Sequence, residues 1–140
     1  HIAGRNADPG TAEKLTGQNI TYHGEIDDSI LYTSSMNLMI APLFSGSGMR
    51  IKIIESMSAG IPVVASPVAA TGLPVKDGMD IMIAKSREKF SNSIVSLLTD
   101  DNLAEEIASN ATGTVREHFD NNIITAQLFD FYKTLADGIR

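Results

Sequence analysis

The residues best suited to chemistry lie in one stretch, Phe44-Ser-Gly-Ser-Gly-Met-Arg-Ile-Lys-Ile-Ile-Glu55, followed directly by Ser-Met-Ser-Ala-Gly-Ile-Pro-Val-Val-Ala-Ser66. A glycine-serine loop that feeds a helix is a physical anion site. The first backbone N–H groups of the helix lack internal partners, and the helix dipole places partial positive charge there. Arg50 falls in the first turn and offers a guanidinium to a bound phosphate. Lys52 follows two residues later, and Glu55 three residues after that. A carboxylate about one turn inside such a helix can accept hydrogen bonds from sugar hydroxyls while the amides hold phosphate. The plainer alternative is a solvated Lys52–Glu55 pair worth a few tenths of a kcal/mol. The glycine spacing is neither the dinucleotide fingerprint nor a P-loop, because no G-x-x-x-x-G-K-[ST] occurs.

The elements around the stretch follow from its pattern. Ser45 and Ser47 are candidate N-caps. Ile51, Ile54, Met57 and Ser58 form a helical stripe. Gly60 suits the helix C-terminus and Pro62 the stop. Val63-Val64-Ala65 reads as a strand buried on both faces.

Elsewhere, strands are predicted over 2–4, 20–23, 37–41 and 80–84. Short helices are predicted over 11–15, capped by Thr11, and over 29–34, capped by Asp27 or Asp28. Residues 67–74 read as a loop, and Asp77-Gly78 as a turn. Ser86 caps a helix to about Leu98, with Phe90, Ile94, Leu97 and Leu98 inward. Asp100 or Asp101 caps the next, with Leu103, Ile107 and Ala111 inward and continuation past Gly113 to Phe119. A last helix runs from Asn121 to about Leu135, with Ile124, Leu128, Phe131 and Leu135 at helical spacing. The fold class is therefore α/β, a Rossmann-like parallel sheet with helices on both faces. The loops at 24–28, 42–48 and 66–74 all follow strands, and ligands of such sheets sit at that edge.

Bulk properties narrow the function. The 140 residues fit one domain, 1–140, with no internal boundary. A net charge of −6 argues against a nucleic-acid surface. With no cysteine there is no disulfide framework or thiolate metal site, and the three histidines are too scattered for zinc. No window approaches the roughly 20 apolar residues of a membrane span, and no secretory leader is read. His1 without a preceding methionine, next to the strand end Ile2-Ala3-Gly4, predicts an excised piece of a longer protein. His23 and His118 read as packing and surface residues, and most of the methionines as core filler.

Tyr22-His-Gly-Glu-Ile26, Asn37-Leu-Met-Ile-Ala-Pro42 and the run from the glycine loop through Glu55-Ser-Met-Ser-Ala-Gly-Ile-Pro-Val-Val-Ala-Ser66 resemble the carboxy-terminal half of retaining, group 1 glycosyltransferases of the GT-B fold. The resemblance covers nearly the whole chain. It implies a nucleotide-sugar-binding domain that passes a glycosyl group from a nucleotide-diphospho-sugar to an acceptor hydroxyl, with retention and without a metal or other cofactor. It makes Glu55 a ligand of the donor ribose, and Gly48 and Met49 backbone contacts to diphosphate or sugar. Gly24, Glu25 and Ile26 match the loop against the nucleobase, while Thr71 and Gly72 match donor contacts at the ligand edge. Ser47 stands eight positions before Glu55, where the family usually has its first glutamate, so no catalytic residue is assigned. Arg50 replaces a usual glycine, as in a subgroup carrying Arg-x-Lys-x-x-Glu.

The resemblance also implies missing parts: a first strand–helix unit and an amino-terminal acceptor domain, without which the fragment is inactive. That absent domain is the expected partner, and the exposed aromatics Phe129, Phe131 and Tyr132 would face it. A cytoplasmic location follows, peripheral to a membrane only through the missing half. The alternatives are a sugar-nucleotide epimerase of the same fold and a non-enzymatic flavodoxin-like interaction module.

Overall fold

The computed structural model describes residues 1–138. The chain divides into two compact units, His1–Tyr32 and Thr33–Arg140.

In the first unit, Ile2 and Tyr22 form a parallel bridge. The Ile2 N–H donates to the Thr21 carbonyl at 2.9 Å and the His23 N–H to the Ile2 carbonyl at 2.8 Å. The strands predicted over 2–4 and 20–23 thus shrink to one bridge. No side chain of residues 1–32 is fully buried, and a two-stranded pairing without a buried face does not extend far. Helix α1 spans Pro9–Lys14 and its N-cap is Asp8, not Thr11. The Thr11 N–H is instead a donor to the Asp8 carboxylate at 3.0 Å. Pro9 explains the earlier start, since its fixed φ and missing N–H suit the first helical position. Helix α2, Ser29–Ser34, has the predicted bounds. Asp28 Oδ1 accepts from the Ile30 and Leu31 amides at 3.0 and 2.9 Å.

The second unit carries the sheet. Strands β1 (Met39–Ala41), β2 (Val63–Ala65) and β3 (Met82–Ile83) run parallel in the order β1-β2-β3. Central β2 is buried at all three positions, as its apolar run predicts. Edge strand β1 is not: Ile40 is 49% exposed, because β2 is its only partner among the described residues. Side chains alternate across β2. Val63 and Ala65 join Ile53, Met57, Ala69 and Ala111 in one core. Val64 joins Ala84, Leu97 and Ile107 in another. Helices therefore cover both faces of the sheet, as expected for a parallel α/β domain.

Helix α3 spans Ile51–Ser58. Its buried face is Ile53, Ser56 and Met57, whereas Ile51 is 61% exposed. The predicted stripe was thus rotated. Ser56 could replace Ile54 inward because its hydroxyl donates to the Lys52 carbonyl at 2.8 Å, so this hydroxyl is not buried without a partner. Gly60 follows with φ 71, the left-handed conformation that ends helices. Residues 67–74, predicted as loop, contain helix α4 at Pro67–Ala70. Ser66 caps it through the Ala69 amide at 3.1 Å, a Ser-Pro start that was present in the sequence and missed.

Helix α5 (Arg87–Thr99) is capped by Ser86 and α6 (Asp101–Phe119) by Asp100. Phe90, Ile94, Leu97, Leu103, Ile107 and Ala111 pack inward as predicted. Leu98 does not, at 52% exposed. Buried Asp80 accepts from the Lys76 amide and the Thr114 hydroxyl, each at 2.7 Å, tying the entry to β3 onto α6. Helix α7 (Asn121–Gly138) buries no residue; its aromatics Phe129, Phe131 and Tyr132 stand exposed, as expected.

Candidate functional site

The loop between β1 and α3 is built by its glycines. Gly46 has φ +122 and Gly48 φ +87, backbone conformations that side-chain-bearing residues rarely adopt. The chain then makes a tight turn at Arg50, with φ −89 and ψ 76. The Ile51 N–H closes that turn on the Met49 carbonyl at 3.1 Å, an inverse γ-turn.

Helix α3 has Arg50 as its N-cap and no side-chain cap bond, so neither Ser45 nor Ser47 caps it. Both serines precede the γ-turn, outside capping register. The amides of Ile51 and Ile53 are already donated, to the Met49 and Arg50 carbonyls. Among the described residues, no acceptor takes the amides of Gly48 and Met49. The loop thus carries open donors just before the helix. They sit at the positive end of the α3 dipole.

Arg50 turns back onto its own loop. Its Nη1 donates to the Ser47 carbonyl at 3.2 Å. Lys52 Nζ meets Glu55 Oε2 at 2.7 Å, with the Lys52 side chain 60% and the Glu55 side chain 29% exposed. Glu55 lies one turn into α3, on the same side as Lys52 and off the buried face.

The start of α3 is open. Met49, Arg50, Ile51, Lys52 and Ile53 line one side of a cavity of about 400 Å³, and residues 39–43 line the other. A second cavity of about 410 Å³ lies where all three strands end. Its walls are Pro42–Phe44, Ser66–Val68, Ala84–Arg87 and Phe90. The Ser66 hydroxyl donates to the Leu43 carbonyl and fastens two of these strand exits together.

Of the predicted residues, Met49, Arg50 and Lys52 line the cavity at the α3 start. Ser47 is tied to Arg50 and Glu55 to Lys52, but Ser47, Gly48 and Glu55 line neither cavity. Thr71 and Gly72 line neither cavity. The Thr71 hydroxyl is spent on the Pro67 carbonyl at 3.0 Å, and Gly72, with φ +81, lies in the turn just after α4. Gly24, Glu25 and Ile26 belong to the first unit. There Gly24 has φ +69 and its carbonyl accepts from the Gly4 amide at 2.8 Å. Glu25 pairs with Arg5 at 2.8 Å, both well exposed. No group of three or more His, Cys, Asp or Glu side chains able to hold a metal occurs among the described residues.

A parallel sheet covered on both faces, with a glycine-shaped loop and a carboxylate one turn behind it at a strand exit, defines an α/β ligand-binding domain. The family described as "Glycosyl transferases group 1" matches residues 1–100, and the chain belongs to it. Phosphatidyl-myo-inositol mannosyltransferase of Mycobacterium leprae is 28% identical over 123 residues, covering 85% of this chain and 33% of that protein. Anabaena HepE in complex with UDP-glucose shares the fold at TM-score 0.73 and 22% identity, covering 89% of this chain and 35% of HepE. Sucrose-phosphate synthase from Thermosynechococcus elongatus matches at TM-score 0.72 and 25% identity, over 87% of this chain and 31% of the synthase. The chain spans about a third of the length of these relatives. The GT-B assignment made from the motifs stands. No helix among the described residues is long and apolar enough to cross a membrane.

Proposed function

We propose that this chain is the donor-binding part of a glycosyltransferase. The whole protein would move a sugar from a nucleotide-diphospho-sugar to an acceptor hydroxyl with retention of configuration. The observation that carries this reading is the opening of α3 in a chain of this family: two loop amides without acceptors, at a positive helix end, beside an open cavity. The diphosphate takes the Gly48 and Met49 amides, as an anion does at a helix start. Glu55 takes the hydroxyls of the pentose. For that, Lys52 releases Glu55, which costs little because an exposed i,i+3 pair is worth only a few tenths of a kcal/mol. Lys52 then has the length and charge to follow the phosphates. Ser47 brings a hydroxyl, not a carboxylate, to the donor sugar, so it can hydrogen-bond the sugar but cannot act as a general base.

Thr71 and Gly72 are assigned as lesser donor contacts after β2. For the first unit we assign Gly24, Glu25 and Ile26 to the nucleobase. HepE, a structural neighbour, holds a uridine nucleotide sugar, which makes uridine diphosphate the first ligand to try. The remainder of the protein would supply the acceptor site, on the cytoplasmic side where nucleotide sugars are made.

The test is calorimetric titration of the full-length protein with uridine and guanosine diphosphates. One of them should saturate a single site. Glu55→Ala should weaken it about tenfold to a hundredfold, the worth of a charge-assisted hydrogen bond. Unchanged affinity in the variant would remove Glu55 from the site.

A further inference from the structure

The guanidinium of Arg50 does not reach outward from the helix start. It folds onto the Gly46–Ser47 backbone: Nη1 donates to the Ser47 carbonyl at 3.2 Å, and Nε is buried with no partner among the described residues. Nη2 lies against Gly46 so closely that a Cβ there would sit 2.7 Å from it, nearer than real Cβ contacts come. Glycine is demanded at position 46 by its φ of +122, and a Cβ there would displace the guanidinium tip. A flat guanidinium with five donors fits such a backbone cradle, whereas a lysine ammonium is a compact point charge that does not reproduce the fork.

We propose that Arg50 is a positioning residue of the donor site: its guanidinium, seated on Gly46 and tied to the Ser47 carbonyl, sets the loop geometry that aims the Gly48 and Met49 amides. This rests on the donor-site reading given above and deepens it. Arg50 acts through the loop, so its positive charge is not what the site uses.

Charge contact and loop positioning predict different variants. If Arg50 served the diphosphate only as a positive charge, Arg50→Lys would keep most of the affinity. As a positioning residue, Arg50→Lys should behave like Arg50→Ala, each weakening nucleoside diphosphate about tenfold in the full-length protein. Gly46→Ala, which displaces the guanidinium without removing its charge and also strains the backbone at φ +122, should do the same. All three variants should leave the melting temperature within a few degrees, since the loop is exposed. Near wild-type affinity for Arg50→Lys, or tighter binding by Gly46→Ala, would overturn the proposal.

A second readout needs no ligand. In nitrogen-15 glycine-labelled protein, the amides of Gly46 and Gly48 should be ordered in the wild type and mobile in both Arg50 variants. Identical relaxation in wild type and variants would overturn the positioning role whether or not a nucleotide binds. Failure of the wild type to bind any nucleoside diphosphate, with the loop still loosened by the variants, would instead sink the donor reading alone.

Discussion

The start of α3 and the start of α5 make an instructive pair. Both follow a strand of the same sheet, and both have serine close by. At α5, Ser86 Oγ accepts from the Lys89 amide at 3.1 Å and closes the helix end with the chain's own atoms. At α3, two serines are at hand and neither is used; a γ-turn at Arg50 intervenes, and the loop amides before it stay open. Helices α4 and α6 follow the α5 pattern, through Ser66 and Asp100. A side-chain cap completes a helix locally. Its absence at α3 matters because this chain belongs to a family of sugar transferases and the uncapped end borders an open cavity.

The sharpest break between packing and binding is on α3 itself. Ile53 is 1% exposed in the core under the sheet. Ile53→Ala should cost about 2–5 kcal/mol of stability, read as a lower denaturant midpoint. Glu55→Ala, two residues on, should change stability by only a few tenths of a kcal/mol, yet abolish most of the nucleotide affinity. Equal stability losses would mean that Glu55 is structural.

The caps provide the next comparison. Ser86→Ala and Asp100→Ala should each cost about 1 kcal/mol, measured by urea unfolding. Ser47→Ala should cost almost nothing, since Ser47 caps no helix. A loss at Ser47 matching that at Ser86 would show that α3 is capped after all.

The smallest effect concerns Asp8. Its carboxyl is held below the ordinary value of 3.8, chiefly by the hydrogen bond from the Thr11 hydroxyl and next by that from the Thr11 amide. A depressed carboxylate contributes stability above its unfolded value and loses it as pH falls through the lower folded one. The Thr11 amide shift, followed by NMR, should therefore titrate with a midpoint under 3.8. Asp8→Asn should remove that titration.

Much of this was legible beforehand because it depends on short-range pattern. The apolar run Val63–Ala65 fixed β2, and the Ser86 and Asp100 caps and the Gly60 stop were readable from single residues. The misreadings share another cause. The rotated face of α3 depended on Ser56 finding an internal acceptor, the Lys52 carbonyl, and the exposure of Ile40 on its strand being an edge. Neither is encoded in local spacing. In the site, the loop glycines and Glu55 were visible as residue types. That Arg50 would turn inward onto Gly46 was not, because it follows from backbone angles at three neighbouring positions.

A structure of the full-length protein with a bound nucleoside diphosphate tests the central claim most directly. It should show phosphate oxygens on the Gly48 and Met49 amides, with Glu55 parted from Lys52 and holding the pentose hydroxyls. A diphosphate seated elsewhere, with Glu55 still paired to Lys52, would contradict it.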